Sequence, residues 1–149
     1  MGLFEARLFY ILGCMQNPVI LLQERGIRPS IQRVEVLRYL MGVTTHPSVD
    51  TIYQALQEQY PNMSRTTVYN TLELLDSKGL VLTLDFGEGF LRYDATTEPH
   101  SHFMCNACGQ VTDIFESPKD CESMLPKGYV LKGAALYLHG LCNHCAQKK

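Results

Sequence analysis

Two Cys-x-x-Cys pairs constrain this chain more than any other feature of its 149 residues. Cys105 and Cys108 form the first pair, Cys142 and Cys145 form the second, and 33 residues separate the two pairs. Four thiolates at such spacings suit the tetrahedral coordination of Zn²⁺, with sulfur atoms about 2.3 Å from the metal. The alternatives are two disulfides or four unrelated buried cysteines, but nothing else in the sequence indicates an oxidising compartment. The pairs therefore predict a structural zinc that closes a small strand–helix–strand segment.

The charge of the chain excludes one simple argument for nucleic-acid binding. Its formal net charge is −2, and neither half is basic: residues 1–94 carry 8 Lys/Arg against 10 Asp/Glu, and the remainder carries 5 against 5. A hydrophobic content of 46% is enough for the core of one domain or of two small ones. Binding to DNA must then depend on local geometry, and on a dimer that presents two binding patches.

The first 17 residues are interpreted as an N-terminal extension. Their apolar run, Leu8–Leu12, has five residues, which is shorter than the roughly 7–15 of a signal peptide and the about 20 of a membrane span. We expect a cytoplasmic protein without a membrane segment. The extension is then either an extra helix or the product of an upstream start codon, with Met15 as the natural start.

Residues 18–94 predict four helices followed by a β-hairpin. Ser30, Ser48 and Ser64 each precede a run with helical periodicity, as N-caps do. The predicted helices are 19–26, 31–41, 49–60 and 65–79, and the predicted core stripe of the second helix is Ile31, Val34, Leu37, Leu40 and Met41. Two strands, 80–86 and 90–94, flank the turn Gly87-Glu88-Gly89. This order of elements indicates a winged helix-turn-helix domain.

The fourth helix is the candidate for DNA recognition. Arg65, Thr66, Tyr69 and Asn70 lie opposite its apolar face, near its N-terminal end. Such side chains suit a helix that enters the major groove, where Arg contacts guanine or phosphate and Asn contacts adenine. Arg33 is a further candidate for a DNA contact. The alternative is a small helical domain in which these side chains are merely solvated.

A second cluster of metal-ligand types follows a short polar stretch. Residues 95–99 read as a hinge, and His100-Ser101-His102 comes directly after it. Alternate residues of a strand point to the same side, so both imidazoles project from one face. Two adjacent imidazoles begin a site for Zn, Fe, Mn or Ni. Spacing alone does not identify their partners, and the candidates are Asp94, Asp113 and His46.

Several motifs together resemble the ferric uptake regulator (Fur) family of metal-dependent bacterial repressors. The matching stretches are Arg28-Pro29-Ser30-Ile31-Gln32-Arg33, His46-Pro47-Ser48, Ser64-Arg65-Thr66-Thr67-Val68-Tyr69-Asn70, Arg92-Tyr93-Asp94, His100-Ser101-His102-Phe103-Met104-Cys105 and both cysteine pairs. The resemblance implies an α+β protein with an N-terminal winged-helix DNA-binding domain (18–94) and a small C-terminal α/β dimerisation domain (100–149). It also implies a Cys₄ zinc site and a regulatory metal site at the hinge.

The resemblance places the regulatory site on five residues and favours one branch of the family. The implied ligands of Fe²⁺ or Mn²⁺ are His46, Asp94, His100, His102 and Asp113. Asp113 and Asn70 match the peroxide-sensing (PerR) branch, whereas iron sensors usually carry Glu and Arg there. In that branch ligand histidines become oxidised, and by position these are His46 and His100. Ala134 stands where many members have a histidine of a further metal site.

The implied function is a homodimeric repressor that binds a pseudo-palindromic double-stranded operator and senses peroxide. An iron or other metal uptake regulator that senses metal reversibly is the alternative within the family. An enzyme is disfavoured, because no nucleophile or general-base pair stands apart from the ligands. A zinc-stapled protein-interaction module is a third possibility. No role is assigned to His139 and His144, while Cys14 reads as a terminal thiol and Cys121 as a small buried hydrophobe.

Overall fold

A computed structural model describes residues 16–116 and 121–148. The chain divides into two compact units, one ending at Thr97 and the other beginning at Glu98, so the division falls within the segment predicted as a hinge. Cys14, Met15 and most of the predicted N-terminal extension lie outside the described residues. No helix in the described ranges is long and apolar enough to cross a membrane.

Four helices make up most of the N-terminal unit, in the order that the sequence predicts. They are α1 (Pro18–Glu24), α2 (Ile31–Met41), α3 (Val49–Leu56) and α4 (Arg65–Ser77). Ser30, Ser48 and Ser64 cap α2, α3 and α4, each side chain accepting a hydrogen bond from the backbone N–H three residues on. Such a cap contributes about 1 kcal/mol. Helix α3 is shorter than the predicted 49–60, because the chain turns after Leu56.

The helices enclose an apolar core. Its most completely buried side chains, all under 2% exposed, are Leu22, Val36, Leu37, Leu40, Ile52, Val68, Leu72, Leu75 and Val81. The prediction that Ile31 belongs to this core is wrong, since its side chain is 66% exposed. At 3.6 residues per turn, Ile31 lies about 120° around α2 from Leu37. Val36, on the other flank of the stripe, is buried instead.

A two-stranded antiparallel hairpin ends the N-terminal unit. Strands β1 (Leu82–Leu84) and β2 (Arg92–Asp94) pair with Thr83 opposite Tyr93. The strands are shorter than predicted, and residues 85–91 between them form what we call the wing. Gly87 and Gly89 adopt positive φ angles of 76° and 84°, a conformation that glycine adopts without steric cost. The turn predicted at these glycines is therefore present.

The C-terminal unit is built on a three-stranded sheet. Strand β3 (Ser101–Cys105) lies in the centre, antiparallel to β4 (Val111–Ile114) and parallel to β5 (Tyr137–Gly140). A short 3₁₀ helix (Cys121–Met124) and helix α5 (Asn143–Ala146) complete the described elements. Cys121 is only half-buried, because its short 3₁₀ helix buries none of its residues, so the prediction of a buried thiol is wrong.

The fold class predicted from the sequence is confirmed. Helices and a hairpin in the winged-helix order occupy the N-terminal unit, and a small α/β unit containing four clustered cysteines follows.

Candidate metal centres and nucleic-acid interface

The two cysteine pairs converge in the C-terminal unit. Cys105 ends β3 and Cys108 lies in the turn after it, while Cys142 precedes α5 and Cys145 lies within it. The four Sγ atoms all lie within 4.8 Å of one another. No disulfide joins the cysteines in the described part of the chain. Four sulfur donors clustered in this way fit a tetrahedral Zn²⁺ ion.

The local electrostatics favour a cation among these sulfurs. Backbone hydrogen bonds, chiefly from the Cys142 N–H at 3.3 Å, lower the pKa of the Cys105 thiol to about 6. Side-chain contact with Cys142 is the main cause that raises the pKa of Cys145 to about 12. One thiolate therefore forms readily, whereas a further negative charge beside it is costly. A divalent cation removes that cost, because metal binding and thiol deprotonation are linked.

A second ligand set lies on strands β3 and β4 and the residue before β3. The Nε2 atoms of His100 and His102 lie 3.5 Å and 3.6 Å from Oδ1 of Asp113. The cross-strand register explains the arrangement, because His102 pairs directly with Asp113 on β4. The two imidazole centroids are 4.4 Å apart, so the prediction that both rings project from one face is confirmed. The Nε2 atoms of both imidazoles thus lie within 3.6 Å of the same carboxylate oxygen.

His100 is held in a defined orientation. Its Nδ1 lies 2.6 Å from the carbonyl oxygen of Glu98; since a carbonyl only accepts, Nδ1 donates this hydrogen bond, and Nε2 faces Asp113. Its ring stacks on Phe115 with centroids 5.4 Å apart, and the ring of His102 stacks on Tyr137 at 6.0 Å. Such outer contacts orient imidazoles for metal binding.

The N-terminal unit contains a ligand pair of its own. Nε2 of His46 lies 3.4 Å from Oδ2 of Asp94, and both side chains are buried. The backbone N–H of Thr96 donates to the other oxygen of Asp94 at 2.7 Å, so the carboxylate is held with Oδ2 toward the imidazole. His46 has a φ of 51°, the one positive value among the described non-glycine residues. A conformation this uncommon is retained where the surrounding structure holds the residue in place.

The donor atoms of these sets indicate the kind of metal that they fit. Imidazole nitrogens and carboxylate oxygens form a harder set than the four cysteines, and such a set suits Fe²⁺ or Mn²⁺. The thiolate cluster and the His/Asp sets therefore differ in the metal that each prefers. This contrast follows from the residues within each unit.

The predicted DNA-contacting side chains share the exposed face of α4. Arg65, Thr66, Tyr69 and Asn70 are all exposed, as predicted, while Val68, Leu72 and Leu75 are completely buried. Nε of Arg65 lies 2.5 Å from Oδ1 of Asp50, and its guanidinium lies 4.7 Å from the centroid of Tyr53. Both charged side chains are at least 60% exposed. A pair this exposed is worth at most about 1 kcal/mol, so a phosphate can replace Asp50.

Arg33 lies in a cleft that sequence analysis did not predict. The cleft has a volume of about 520 Å³, between the start of α2 and the exposed face of α4. Its lining includes Arg28, Arg33, Gln32, Thr67 and Asn70. Arg33 donates to the carbonyl oxygen of Arg28 at 2.8 Å. The motif that contains both arginines was visible in the sequence, but its position beside Asn70 depends on the packing of α2 against α4.

Arg92 is the other functional candidate that sequence reasoning missed. It lies in a motif, Arg92-Tyr93-Asp94, of which only Asp94 was predicted to act. His139 and His144 are exposed and remain without an assigned role.

Residues 24–146 match the ferric uptake regulator family. The chain belongs to this family. It is also similar to the peroxide operon regulator of Bacillus subtilis, with 36% identity over 131 residues that cover 86% of this chain and 90% of the relative.

Solved structures extend the similarity to the fold. The peroxide stress regulator of Campylobacter jejuni is 26% identical, with a TM-score of 0.63, over 97% of this chain and 100% of that one. The ferric uptake regulator of Helicobacter pylori, 24% identical, has a TM-score of 0.71 over 87% of this chain and 89% of its own, and shows the shared fold. The resemblance drawn from the sequence motifs is therefore confirmed.

Proposed function

We propose that this chain is a metal-dependent, DNA-binding transcriptional repressor that senses hydrogen peroxide through iron-catalysed oxidation of ligand histidines. The observation that carries the proposal is the presence of two His/Asp ligand sets in a chain similar to two regulators named for peroxide. It acts as a regulator and not as an enzyme. A cytoplasmic location, where operator DNA is found, is part of the proposal.

Two kinds of metal have separate tasks. Zn²⁺ is held by Cys105, Cys108, Cys142 and Cys145, and stabilises the C-terminal unit. Fe²⁺ or Mn²⁺ is held jointly by both His/Asp sets: His46, Asp94, His100, His102 and Asp113. The hard donor set and the orienting contacts of Asp94 and His100 support this assignment.

Joint ligation of one ion would make metal binding a conformational signal. The implied ligands come from both sides of the hinge, 95–99, so a bound ion favours one angle between the DNA-binding domain (18–94) and the dimerisation domain (100–149). In a homodimer this angle sets the distance between the two recognition helices, which must match the half-site spacing of a pseudo-palindromic operator. The metal then acts through its higher affinity for the DNA-binding arrangement.

Contacts to DNA come from α4 and the adjacent cleft. Tyr69, Thr66 and Asn70 are proposed to reach base edges, with Arg65 and Arg33 on guanine or phosphate. The exposure of the α4 residues and the exchangeable Arg65–Asp50 pair support this role. A local basic cleft also explains how a chain with a net charge of −2 binds DNA.

Oxidation ends the repression. His46, Asp94, His100, His102 and Asp113 would hold the ion, and a bound Fe²⁺ would supply reducing electrons to peroxide. His46 and His100 are the proposed sites of oxygen addition. An imidazole that has gained an oxygen is a poorer metal ligand, because its ring nitrogens no longer have the donor character of a neutral imidazole. Loss of the ligand releases the metal, and the two domains then no longer favour the angle that binds the operator.

Peptide mass spectrometry after brief, low-dose peroxide tests this proposal. Protein loaded with Fe²⁺ should gain one oxygen on His46 or His100, and the same sample should lose affinity for its operator. Mn²⁺-loaded protein should gain none. His139 and His144 are matched internal controls, because both are exposed and lie outside the ligand sets. Unmodified ligand histidines in both samples would contradict peroxide sensing.

A reversible uptake regulator is the second candidate. The family to which the chain belongs is named for ferric uptake, and the same ligand sets serve an equilibrium sensor equally well. This candidate predicts DNA binding that follows the free metal concentration and recovers fully after chelation and reloading, without any oxidised histidine.

A further inference from the structure

The side chain of Arg92 joins the wing to the loop that carries His46. Its Nε and Nη2 lie 2.6 Å and 2.8 Å from the two carboxylate oxygens of Glu88, at the tip of the wing. Its Nη1 lies 3.4 Å from the backbone carbonyl oxygen of His46. One guanidinium therefore contacts two segments that are more than 40 residues apart in the chain. Both contacts lie entirely within the N-terminal unit.

Strand β2 holds the His46 loop at several points. The N–H of Tyr93 donates to the carbonyl oxygen of Pro47 at 3.1 Å, and Ser48 forms an isolated antiparallel bridge with Arg92. Asp94, at the end of the strand, contacts the imidazole of His46. Arg92, Tyr93 and Asp94 thus contact, in turn, the carbonyl of His46, the carbonyl of the next residue and the imidazole of His46. His46 itself has a φ of 51°, and the ring that meets Asp94 and the carbonyl that meets Arg92 belong to this one residue.

The pair of Arg92 and Glu88 differs from an ordinary surface ion pair. The two side chains are only 16% and 20% exposed, and the guanidinium lies 5.3 Å from the centroid of Phe90 in the wing. Two parallel hydrogen bonds to one carboxylate fix the orientation of the Arg92 guanidinium as well as holding it close to Glu88. The contact with His46 is longer, at 3.4 Å, so a small backbone movement strengthens or breaks it. The guanidinium is therefore held closely by Glu88 in the wing and more loosely by the carbonyl oxygen of His46.

We propose that Arg92 is a positioning residue that couples metal binding at His46 and Asp94 to the position of the wing. When His46 binds a metal, its carbonyl oxygen is held against Nη1 of Arg92. The guanidinium then holds Glu88, and with it the wing, in one position. Without metal the carbonyl moves, and the wing samples more positions. This inference rests on the proposed function, since it describes how the same metal is sensed by a second DNA-facing element.

Hydrogen exchange measured by mass spectrometry tests the coupling without DNA. Saturating Mn²⁺ should slow exchange of the wing, 85–91, by about threefold or more in the unmodified chain. Arg92→Gln should abolish that slowing, Arg92→Lys should retain part of it, and Glu88→Gln should reduce it. Arg38→Gln is the matched control, because Arg38 also pairs with a glutamate, Glu35, but on α2. Each variant is measured at a Mn²⁺ concentration that saturates it.

Equal protection of the wing in the unmodified chain, Arg92→Gln and Arg92→Lys would overturn the inference. A wing whose exchange does not respond to Mn²⁺ in the unmodified chain would overturn it as well. If Arg92→Gln does not fold, Arg92→Lys and Glu88→Gln decide the question, because each retains part of the contact between residues 92 and 88. A residue with only a structural role would change the exchange of the wing equally with and without Mn²⁺.

DNA binding distinguishes a failure of this inference from a failure of the proposed function. The probes are duplexes of about 30 base pairs, selected from a randomised pool by the Mn²⁺-loaded dimer. The ratio of Kd without and with Mn²⁺ should fall by about fivefold or more in Arg92→Gln and stay unchanged in Arg38→Gln. If the unmodified chain shows no Mn²⁺-dependent binding, the proposed function fails while the wing measurement stands. If the ratio is full in every Arg92 variant, the inference alone fails.

Discussion

The N-terminal unit buries seventeen large apolar side chains among the described residues, whereas the C-terminal unit buries three, Met104, Cys105 and Val111. The C-terminal unit also exposes large apolar side chains, including Met124, Tyr129 and Val130 at 81%, 68% and 73%. Hydrophobic burial is the main stabilising term in a folded domain. The first unit therefore has an extensive core of its own, whereas the second has few buried apolar side chains beside its four clustered cysteines.

The same contrast distinguishes the His46–Asp94 pair from the cysteine cluster, while the other His/Asp set, His100, His102 and Asp113, lies in the C-terminal unit. In the N-terminal unit, His46 and Asp94 are buried beside a core that would persist without any metal. The C-terminal unit has few buried apolar side chains, and we expect its metal-bound cysteine cluster to supply stability that a larger core would otherwise give. If metal binds at both places, its loss from the first should leave the N-terminal core intact, whereas its loss from the cysteine cluster should unfold the C-terminal unit. Four predictions test this difference.

Removal of the cysteine-bound metal should have the largest effect. Structural zinc contributes an apparent 10–16 kcal/mol or so in small zinc domains, more than the sparse core can replace. We expect Cys108→Ser to abolish hydrogen-exchange protection in β3 and β4 while α2 and α4 keep theirs. Cys121→Ser is the control, because Cys121 lies outside the cluster. Retained protection of β3 in Cys108→Ser would show that the C-terminal unit is stable without the metal.

Truncation of the N-terminal core should have the next largest effect, with the opposite distribution. Leu72 is completely buried, so Leu72→Ala should lower the free energy of unfolding of that unit by about 2–5 kcal/mol. Zinc content should not change. Ile31→Ala is the matched control, and because Ile31 is 66% exposed it should change stability by less than about 0.5 kcal/mol. The measurement is denaturant unfolding followed by tyrosine fluorescence, with metal analysis of each variant.

Asp94→Asn and Asp113→Asn should each weaken Mn²⁺ binding by about 100-fold, or roughly 3 kcal/mol, if one ion uses both ligand sets. Neither substitution should release zinc. Isothermal titration should then show one Mn²⁺ site per chain in the unmodified protein, weakened by either change. Two independent Mn²⁺ sites, each sensitive to one substitution only, would show that the two units bind metal separately.

Glu88 should give the smallest effect, through pH. Its hydrogen bonds from Arg92 hold the pKa of the carboxyl below its ordinary value of 4.5. A lowered pKa in the folded state means that the ion pair contributes stability above pH 4.5, and that this contribution is lost as pH falls through the lowered pKa. The Tm difference between the unmodified chain and Glu88→Gln should thus shrink on acidification from pH 6 to pH 3 or so. A constant difference would mean that the carboxylate charge is unimportant.

Elements set by local sequence were predicted well. Ser30, Ser48 and Ser64 were identified as caps because a cap bonds to a residue three positions away, which the sequence displays directly. Helix ends were less accurate, as in α3, because the apolar period alone does not show where the chain turns. The burial of Ile31 was predicted wrongly since residues on the flank of a helix are buried only if a neighbouring element covers them.

The candidate sites were predicted to different depths. Ligand types at short spacing, such as His100 with His102, could be grouped on one face of a strand from the alternation of side chains. Spacing named Asp113 only as one candidate among three, and it was the family resemblance that named it a ligand, because its place beside the two imidazoles follows from the pairing of β3 with β4. Arg92 was not predicted at all, since its two partners are reached through the wing and through the His46 loop.

The sequence by itself determined the winged-helix order, the four cysteines that cluster, the exposed polar face of α4 and membership of the ferric uptake regulator family. These depend on spacing, periodicity and motifs within a few residues. Only the tertiary structure decided which carboxylate meets which imidazole, how Arg92 connects the wing to His46, and how little apolar core the C-terminal unit has. The physical reason is that contacts between distant residues depend on strand register and on the packing of whole elements, and local sequence does not specify either one.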